Sequence, residues 1–442
     1  MNTLLELING YILGPVVPII LFACGIYFTI KLRFFMVRHP IKTLAPLFRK
    51  NEANDGVSPL AAVTLALAGT LGVGNIVGVA TAIIMGGAGA IFWMWVSALV
   101  AMVLKYAEIV ATLQHRVHDG EKYRGGPMYY IKSKPIAVTF CILCILCSFA
   151  LGNALQVSAT AQSFDAIFGV PPIVIGLIMA TLIFFVLFRH KKGVFNFTLR
   201  LVPAITLFYI VLSLIVIIAL ANRIPAVLTQ IFTEAFNFRS ATGGISGFLI
   251  IMTSVRFGVI RGLVSNEAGC GTAPIAHAAV NNTRPATQGC WGILEVFIDT
   301  ILMCTLTAFV VLLPGIETSR ADGMTLILES FGFVIGSLSG IALTFSFFAF
   351  AFATTIGWSY FGVECIHFLS KGKRSKTLYL AVFNILALFG GFVNAELVWH
   401  LSDFTIGAMT VINAVFLFTL RKDIFFESDK YFKYPASKNF RE

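Results

Sequence analysis

Apolar residues occur along this chain in long runs, separated by short polar or proline-containing segments. A helix needs roughly 20 apolar residues to cross a bilayer, and about eleven runs are long enough. The predicted spans are residues 12–33, 58–85, 88–114, 137–163, 171–189, 197–221, 243–280, 286–313, 335–367, 376–394 and 400–420. Several runs exceed one span, so tilting or local unwinding is expected. The pattern therefore predicts an all-α polytopic membrane protein.

Composition supports a bilayer around most of the chain. Of the 442 residues, 58% are hydrophobic and 12% are charged, whereas soluble domains carry about 25% charged residues. One soluble core cannot hide this much apolar surface, so lipid must cover it. The first basic residue is Lys31, so the start of the chain lacks the basic region of a cleaved signal peptide.

Basic residues are concentrated on one side of the alternating spans. That side holds 26 of the 32 Lys and Arg residues, in 31–50, 115–134, 189–200, 281–285, 371–376 and the tail from 421. The opposite side holds only Arg223, Arg239 and Arg320. Cytoplasmic loops carry such an excess, so we expect the N-terminus outside and the C-terminus in the cytoplasm. Topology thus explains the net charge of +11, and no nucleic-acid partner is indicated.

The first repeat-like feature is the glycine-rich stretch "AGTLGVGNIVGVA", residues 68–80. A dinucleotide-binding loop is excluded, because neither a preceding strand nor a soluble βαβ unit is predicted. Gly74 and Gly78 could form a G-x-x-x-G packing face. Alternatively, the helix unwinds around residues 69–75, which membrane proteins tolerate where protein or a cavity covers the backbone. The polar side chain of Asn75 favours unwinding.

A second glycine-rich segment, "SVRFGVIRGLVSNEAGCGTAPIAHAAV", covers residues 254–280. Two interrupted segments in matching halves are typical of transporters built from inverted repeats. Five spans fall in residues 58–221 and five in 222–420, so the halves have opposite polarity. Residues 1–57 then form an extra helix with a cytoplasmic connection, and residues 421–442 form a cytoplasmic tail.

Several motifs resemble those of the alanine or glycine:cation symporter family. They are "LAGTLGVGNIVGVATAIIMGGAGAIFWMWV" with "KYAE", "RGLVSNEAGCGTAPIAHAA", "GNALQ" and "ATTIGWSYFG". The resemblance implies a leucine-transporter-type fold: a five-plus-five inverted repeat whose first and sixth repeat helices are broken, with one extra N-terminal helix. It also implies uptake of a small neutral amino acid (alanine, glycine or glutamine) across a bacterial inner membrane. The coupling ion is sodium or, alternatively, a proton.

The expected substrate site lies at the first break. Free backbone N–H groups at a resumed half-helix can bind the carboxylate of an amino acid, helped by the helix dipole. The break supplies Thr70, Gly72, Val73, Gly74 and Asn75. By resemblance, the site also includes Gln156, Thr354 and Trp358.

Some of these side chains have other interpretations. Thr70 could bond back to its own helix, Gln156 could join two helices, and Trp358 could belong to an interfacial aromatic belt. Val73 stands where the family often has a hydroxyl residue, which would make the pocket less polar.

Sodium needs about five or six oxygen ligands, which carbonyls and hydroxyls must mostly supply here. By analogy with the fold, the predicted ligands are Ala68, Gly69, Leu71, Thr354 and Thr355. No organic cofactor is expected. The "CILCILC" cysteines lie in an apolar helix without a nearby fourth cysteine, so we interpret them as packing residues rather than a metal site.

Charged residues inside the spans form a further group. Lys105 and Glu108 are three residues apart and could pair within a helix. Arg256, Arg261 and Glu267, together with Glu295 and Asp299, make another charged set. Such groups face a cavity or one another. Some of them could form a cytoplasmic gate, or all could be static ion pairs.

Other function classes fit less well. The sequence lacks G-x-S-x-G, H-E-x-x-H and a Walker A loop, so neither a membrane enzyme of these types nor ATP-driven pumping is indicated. A channel needs a continuous polar path, whereas bulky Trp and Phe side chains near the expected site favour occlusion. The sequence therefore predicts a secondary transporter rather than an enzyme.

Overall fold

The computed structural model describes residues 2–48, 56–120, 122–189, 193–236, 244–281, 283–317 and 322–433. Arg239 and Arg320, the first residue of the predicted 243–280 span and the last part of the 421–442 tail lie outside these residues. The N-terminal region contains α1 (Asn2–Leu7), a π-helical turn (Ile8–Leu13), α2 (Gly14–Lys31), α3 (Phe35–Arg38) and α4 (Pro40–Phe48).

The first half of the remaining chain is helical apart from one hairpin. Its elements are α5 (Pro59–Thr70), a π-helical turn (Gly74–Gly78), α6 (Val79–Gly86), α7 (Gly89–His115), β1 (Val117–Asp119), β2 (Lys122–Arg124), α8 (Pro127–Tyr130), α9 (Lys134–Phe149), a π-helical turn (Ala150–Ala154), α10 (Leu155–Phe168), α11 (Pro172–Arg189) and α12 (Gly193–Ala219).

The second half repeats the alternation of long and broken helices. Its elements are a 3₁₀ turn (Ala221–Arg223), α13 (Ile224–Ala235), α14 (Gly244–Asn266), α15 (Ala273–His277), α16 (Pro285–Val296), a π-helical turn (Phe297–Cys304), α17 (Thr305–Leu312), α18 (Gly323–Ile335), α19 (Leu338–Leu369), α20 (Lys373–Phe389), a 3₁₀ turn (Gly390–Phe392), α21 (Ala395–Thr419) and α22 (Arg421–Lys433).

Eight helices in the described residues are long and apolar enough to cross a membrane. The pair α5 and Gly74–Gly86, bent by 57°, makes a ninth candidate. Helices α11 and α14 occupy the two other predicted span regions. The predicted rupture of the first segment is therefore present. The second rupture falls at residues 267–272, after α14, and leaves Gly258 inside a continuous helix.

The hairpin that follows α7 contacts the C-terminal end of α19. Strands β1 and β2 pair antiparallel, with Val117 opposite Arg124. Asp119 accepts hydrogen bonds from His367 at 2.7 Å and Arg124 at 3.0 Å. The hydrogen bond from His367 makes the largest contribution to lowering the pKa of the half-buried Asp119 carboxyl, and the bond from Arg124 also lowers it. The hairpin thus connects two spans through charges outside the apolar layer.

Close helix contacts are made where glycine removes the side chain. A Cβ on Gly258 of α14 would lie 2.3 Å from the carbonyl oxygen of Ala90 in α7. A Cβ on Gly78 would meet no heavy atom within 4 Å, and one on Gly74 only ordinary contacts. The structure therefore does not support the G-x-x-x-G packing interpretation at Gly78. Small residues bring membrane helices together elsewhere, notably between α7 and α14.

We expect Gly258→Ala to lower the thermal unfolding midpoint of the purified protein by several degrees. The new methyl group would collide with the backbone of α7, and overpacking typically costs about 1–3 kcal/mol. Gly78→Ala is the matched control, because its Cβ has free space and alanine favours helix. Equal midpoints for both variants in the same detergent would contradict the packing argument.

Candidate functional site

The first break leaves backbone groups without helical partners, and side chains bond to four of them. Helix α5 ends at Thr70, after which Leu71 turns out of helical geometry (φ −75°, ψ 90°). The N–H of Gly72 donates to Asn75 Oδ1 at 3.1 Å, and the N–H of Val73 donates to Gln156 Oε1 at 3.2 Å. Unpaired backbone groups are costly inside a membrane, so these bonds stabilise the unwound conformation.

Two side chains from α19 satisfy carbonyls of the same break. Thr354 donates its hydroxyl to the Leu71 carbonyl at 3.0 Å, and Trp358 donates its indole N–H to the Gly69 carbonyl at 3.2 Å. Their spacing of four residues places both on one face of the helix. Each is at most 1% exposed. The structure thus brings Gln156, Thr354 and Trp358 to the predicted break.

Two glycines permit this close assembly. A Cβ on Gly72 would lie 2.7 Å from Thr354 Oγ1 and 2.9 Å from Gln156 Oε1. On the facing helix, a Cβ on Gly357 would lie 2.7 Å from the backbone nitrogen of Gly69. Any larger residue at either position would separate α19 from the break. The glycines therefore allow α10, α19 and the first break to pack closely.

The other predicted residues of this region are also buried, but their contacts differ. Thr70 donates to the Leu67 carbonyl of its own helix at 3.4 Å, which matches the alternative interpretation of this residue. Thr355 similarly bonds to the Ala351 carbonyl at 2.7 Å. The Val73 side chain is 2% exposed and belongs to an apolar cluster. Ala68 is fully buried.

Asn75 connects the first break to two helices of the second half. Its amide nitrogen donates to Ser265 Oγ at 2.8 Å and to Asp299 Oδ1 at 2.7 Å. Ser265 donates to the other oxygen of Asp299 at 2.6 Å, and Thr307 donates to the Asn75 carbonyl at 2.9 Å. Asn75 therefore holds the loop at the first break. The sequence did not assign Ser265, and only the position of Asp299 within an apolar run signalled a buried role.

The second break carries three left-handed residues. Glu267, Gly269 and Gly271 have φ of 52°, 89° and 85°, and a left-handed conformation is unusual for a residue other than glycine. Scaffold side chains satisfy the loop: Glu108 accepts from the Gly269 N–H at 3.0 Å, and Asn413 donates to the Gly269 carbonyl at 2.9 Å. Helices α7 and α21 thus support this break, as α10 and α19 support the first.

Lys105 caps the end of α14 rather than pairing within its own helix. Its ammonium group donates to the Asn266 carbonyl at 2.8 Å and to Glu295 at 3.1 Å. The predicted pair with Glu108 is therefore wrong: Glu108 faces the loop backbone, and the carboxylate of Glu295 lies closer to the lysine. A positive charge at a helix C-terminus is favourable because of the helix dipole. Lys105, Glu108 and Glu267 all lie around the second break.

The two arginines of the predicted charged set lie elsewhere. Arg261 pairs with Asp403 of α21 at 3.5 Å. The guanidinium of Arg256 stacks over Phe257 at 5.5 Å and reaches Gly14 of α2, where a Cβ would be 3.1 Å from its Nε. The structure therefore separates Arg256 and Arg261 from Lys105, Glu108 and Glu267. The contact with Asp403 could not be anticipated, because 142 residues separate the partners.

Comparison with known proteins decides the family. The sodium:alanine symporter family matches residues 1–441. The chain belongs to this family. It is 34% identical over 434 residues to the sodium/alanine symporter AgcS of Methanococcus maripaludis, covering 95% of this chain and 94% of that protein. It is 34% identical over 400 residues to the amino-acid carrier protein AlsT of Bacillus subtilis, covering 90% of this chain and 85% of that protein.

A solved structure shares the fold of this family member. The crystal structure of MhsT in complex with L-phenylalanine superimposes with a TM-score of 0.58 at 12% identity, covering 86% of this chain and 92% of MhsT. The predicted leucine-transporter-type fold with broken first and sixth repeat helices is thus confirmed. Relatives and structural neighbours are transporters, not enzymes. The family supports symport of an amino acid with a cation, and sodium as the coupling ion.

The donors that meet at the first break are oxygens and amide nitrogens. No group of three or more His, Cys, Asp or Glu side chains suited to a metal occurs among the described residues. Cys141, Cys144 and Cys147 are buried and unpaired by disulfides. His277 contacts Gln288 at 2.7 Å and Glu295 at 3.2 Å. The oxygens at the first break come from carbonyls, hydroxyls and amides, which suit hard cations.

We expect Asn75→Ala to lower the free energy of unfolding by about 2–3 kcal/mol. The change removes the amide that bonds to the Asp299 carboxylate and the acceptor for the Gly72 N–H, which leaves buried groups unpaired. Thr70→Val is the matched control, because its hydroxyl makes only a long bond within its own helix. Chemical unfolding in detergent checks both variants, and similar losses would contradict the assignment.

We expect Lys105→Met to cost about 3–5 kcal/mol, because it removes the cation beside the buried Glu295 carboxylate and leaves that group only its contact with His277. Adding Glu295→Gln removes that charge, so the double variant should be more stable than Lys105→Met alone. The same unfolding assay measures the coupling. Additive losses in the double variant would show that the pair is not energetically linked.

Proposed function

We propose that this protein imports a small neutral amino acid together with sodium by alternating access, with alanine or glycine as the main candidates and glutamine as a third. The observation that carries the proposal is the unwound backbone at residues 71–73, whose N–H and carbonyl groups are bonded by exchangeable side chains. The family description and the names of the relatives support the substrate class.

The substrate carboxylate would bind the N–H groups of Gly72 and Val73. A carboxylate forms stronger hydrogen bonds with such donors than a neutral amide does, so it would replace Asn75 and Gln156 as the acceptor. The proposed substrate-binding residues are those predicted from the sequence: Thr70, Gly72, Val73, Gly74, Asn75, Gln156, Thr354 and Trp358. The tight contacts of Gly72 favour a substrate with a small side chain.

Sodium would bind between α5 and α19. The proposed ligands are the carbonyls of Ala68, Gly69 and Leu71 and the hydroxyls of Thr354 and Thr355. The oxygens of Thr354 and Leu71 already lie 3.0 Å apart, so a small cation could draw both toward itself. This would release Thr354 from its bond to the Leu71 carbonyl.

Transport would follow from relative movement of the repeats, residues 58–221 and 222–420. The side that carries most basic loops would face the cytoplasm, with the N-terminus outside, in a bacterial inner membrane. Val57 and Val280 form a β-bridge that joins the start of the first broken segment to the end of the second. We propose that opening toward the cytoplasm separates this bridge and that Lys105, Glu108 and Glu267 adjust with it.

The test is uptake into sealed proteoliposomes. We expect an inward sodium gradient to drive accumulation of labelled alanine or glycine. Replacing the external sodium by choline should abolish this accumulation. Accumulation driven by a proton gradient in the absence of sodium would show that the coupling ion is a proton. Gradient-independent equilibration would indicate a channel instead.

Thr354→Val should reduce sodium-dependent uptake at least tenfold, because it removes the hydroxyl beside the Leu71 carbonyl while keeping the shape of the side chain. Thr354→Ser retains the hydroxyl and is the matched control, so it should keep most of the uptake. Initial rates at several sodium concentrations measure both. Equal rates for the valine and serine variants would remove Thr354 from the site.

A further inference from the structure

A basic segment with an apolar outer face follows the first membrane span. Helix α2 ends at Lys31, and residues 31–50 contain six Lys or Arg residues and no Asp or Glu. The described part of this segment consists of a turn, α3 and α4. Because it continues directly from a helix long enough to span, the segment begins at a surface of the membrane.

A turn between α2 and α3 ends the span. Arg33 and Phe34 have φ of 58° and 54°, a left-handed conformation that residues other than glycine rarely adopt. The Phe34 N–H donates to the Thr29 carbonyl at 2.9 Å, which closes the turn. Helix α3 therefore starts as a separate element and does not continue the span.

The inner face of the segment is held by two other helices. Phe35 packs against Phe432 of α22 and Tyr106 of α7, with each pair of ring centroids 4.7 Å apart. Lys42 donates its ammonium group to the Phe432 carbonyl at 2.6 Å, and Tyr431 donates its hydroxyl to the Lys42 carbonyl at 3.1 Å. These contacts fix which side of α3 and α4 points outward.

The outward side carries a row of apolar residues: Phe34, Val37, Ile41 and Leu44. They recur at intervals of three or four residues, the spacing of one side of a helix, and all four are exposed. Val37 is 79% exposed and Ile41 is 83% exposed, whereas valine and isoleucine are usually buried in proteins. A row of exposed apolar side chains marks a contact surface.

Two arginines lie beside the apolar row. Arg33 and Arg38 are exposed, and neither forms an ion pair among the described residues. Apolar side chains next to unpaired cations are complementary to the edge of a bilayer, where acyl chains meet negatively charged phosphates. The row begins three residues after α2 ends, so the lipid around this span is its nearest partner.

We propose that residues 33–44 bind anionic phospholipid in the leaflet at which α2 ends. The apolar row enters the boundary of the acyl chains, and the guanidinium groups of Arg33 and Arg38 bind lipid phosphates, with which guanidinium forms paired hydrogen bonds. This inference goes beyond the proposed function and depends only on the membrane-spanning fold, so either can fail without the other.

Lipid bound to this segment acts on a helix that supports the second break. Tyr106 of α7 packs on Phe35 and donates its hydroxyl to Ser428 of α22 at 2.9 Å. The preceding residue of α7, Lys105, donates to the Asn266 carbonyl at the end of α14. Anionic lipid that holds α3 in place therefore stabilises the packing of α7 and α22.

The first test measures the thermal unfolding midpoint of the full-length protein in a neutral detergent. We expect dioleoylphosphatidylglycerol to raise the wild-type midpoint by several degrees more than dioleoylphosphatidylcholine does. The double variant Arg33→Gln and Arg38→Gln should lose most of this difference between the two lipids. Because the lipids are compared within each variant, a change in the variant's own stability cancels.

The control double variant is Lys371→Gln and Arg374→Gln. It removes two exposed cations from another basic loop on the same predicted side and should keep the wild-type difference between the lipids. Equal differences in wild type and the Arg33 and Arg38 double variant would overturn the proposal. Inorganic phosphate that raises the wild-type midpoint as much as phosphatidylglycerol does would also overturn it, because the arginines would then bind a free anion.

A second test locates the apolar row in vesicles that contain phosphatidylglycerol. A nitroxide is attached to Ile41→Cys in a Cys24→Ala background, since the other seven cysteines are buried. We expect this nitroxide to collide more with oxygen, which concentrates in lipid, than with a water-soluble nickel chelate. Lys122→Cys in the exposed start of β2 should show the reverse. Preferential collision with the nickel chelate at Ile41→Cys would show that the row faces water, and the proposal would be wrong.

Discussion

The structure depends on how backbone groups are satisfied where two helices are interrupted inside apolar surroundings. Each N–H or carbonyl that leaves a helix there must find a new partner or cost several kcal/mol. At the first break, Gln156 and Thr354 reach in from neighbouring helices, and Asn75 folds back from the loop itself. At the second, Glu108 and Asn413 do the same. The position of the surrounding helices follows from these bonds.

The first break is also bonded to the helix that precedes the second break, α14, and to the π-helical turn at Phe297–Cys304. Asn75 reaches Ser265 and Asp299, so a displacement of the first loop is transmitted directly to the second half of the chain. The bonds from α10 and α19, in contrast, join the first loop to helices outside this pair. The molecule thus contains one set of contacts that keeps the broken helices together and another that fixes them to their neighbours. The proposed alternating access would require that the second set can change while the first persists.

Much of this arrangement could be predicted from local sequence. Spans follow from apolar runs, and the break near Gly72 follows from glycines beside Asn75. The motif resemblance placed Gln156, Thr354 and Trp358 near it, as the structure shows. The position of the second break within its segment was less certain, because Gly258 and Gly269 look alike in sequence. Gly258 packs against α7, whereas Gly269 has a left-handed backbone conformation.

Partners distant in sequence could not be predicted. The short spacing of Lys105 and Glu108 suggested an ion pair between them. Lys105 instead forms an ion pair with Glu295, which is 190 residues away in the sequence. Arg261 and Asp403 meet only because α14 and α21 lie side by side. Pairing of buried charges depends on which helices become neighbours, and a single sequence carries no local signal for that.

If the proposed substrate and sodium bind at residues 71–73, the bonds already present there would make binding an exchange rather than an addition. A carboxylate that takes the Val73 N–H displaces an amide oxygen that was already bonded there, so the gain is the difference between two hydrogen bonds and not the value of one. The same holds for a cation that takes the Leu71 carbonyl from Thr354. Such an exchange would keep the affinity moderate and would return the loop to a hydrogen-bonded state when the substrate leaves. A carrier with such a site would avoid a deep energy minimum on either side of the membrane, which would allow repeated turnover.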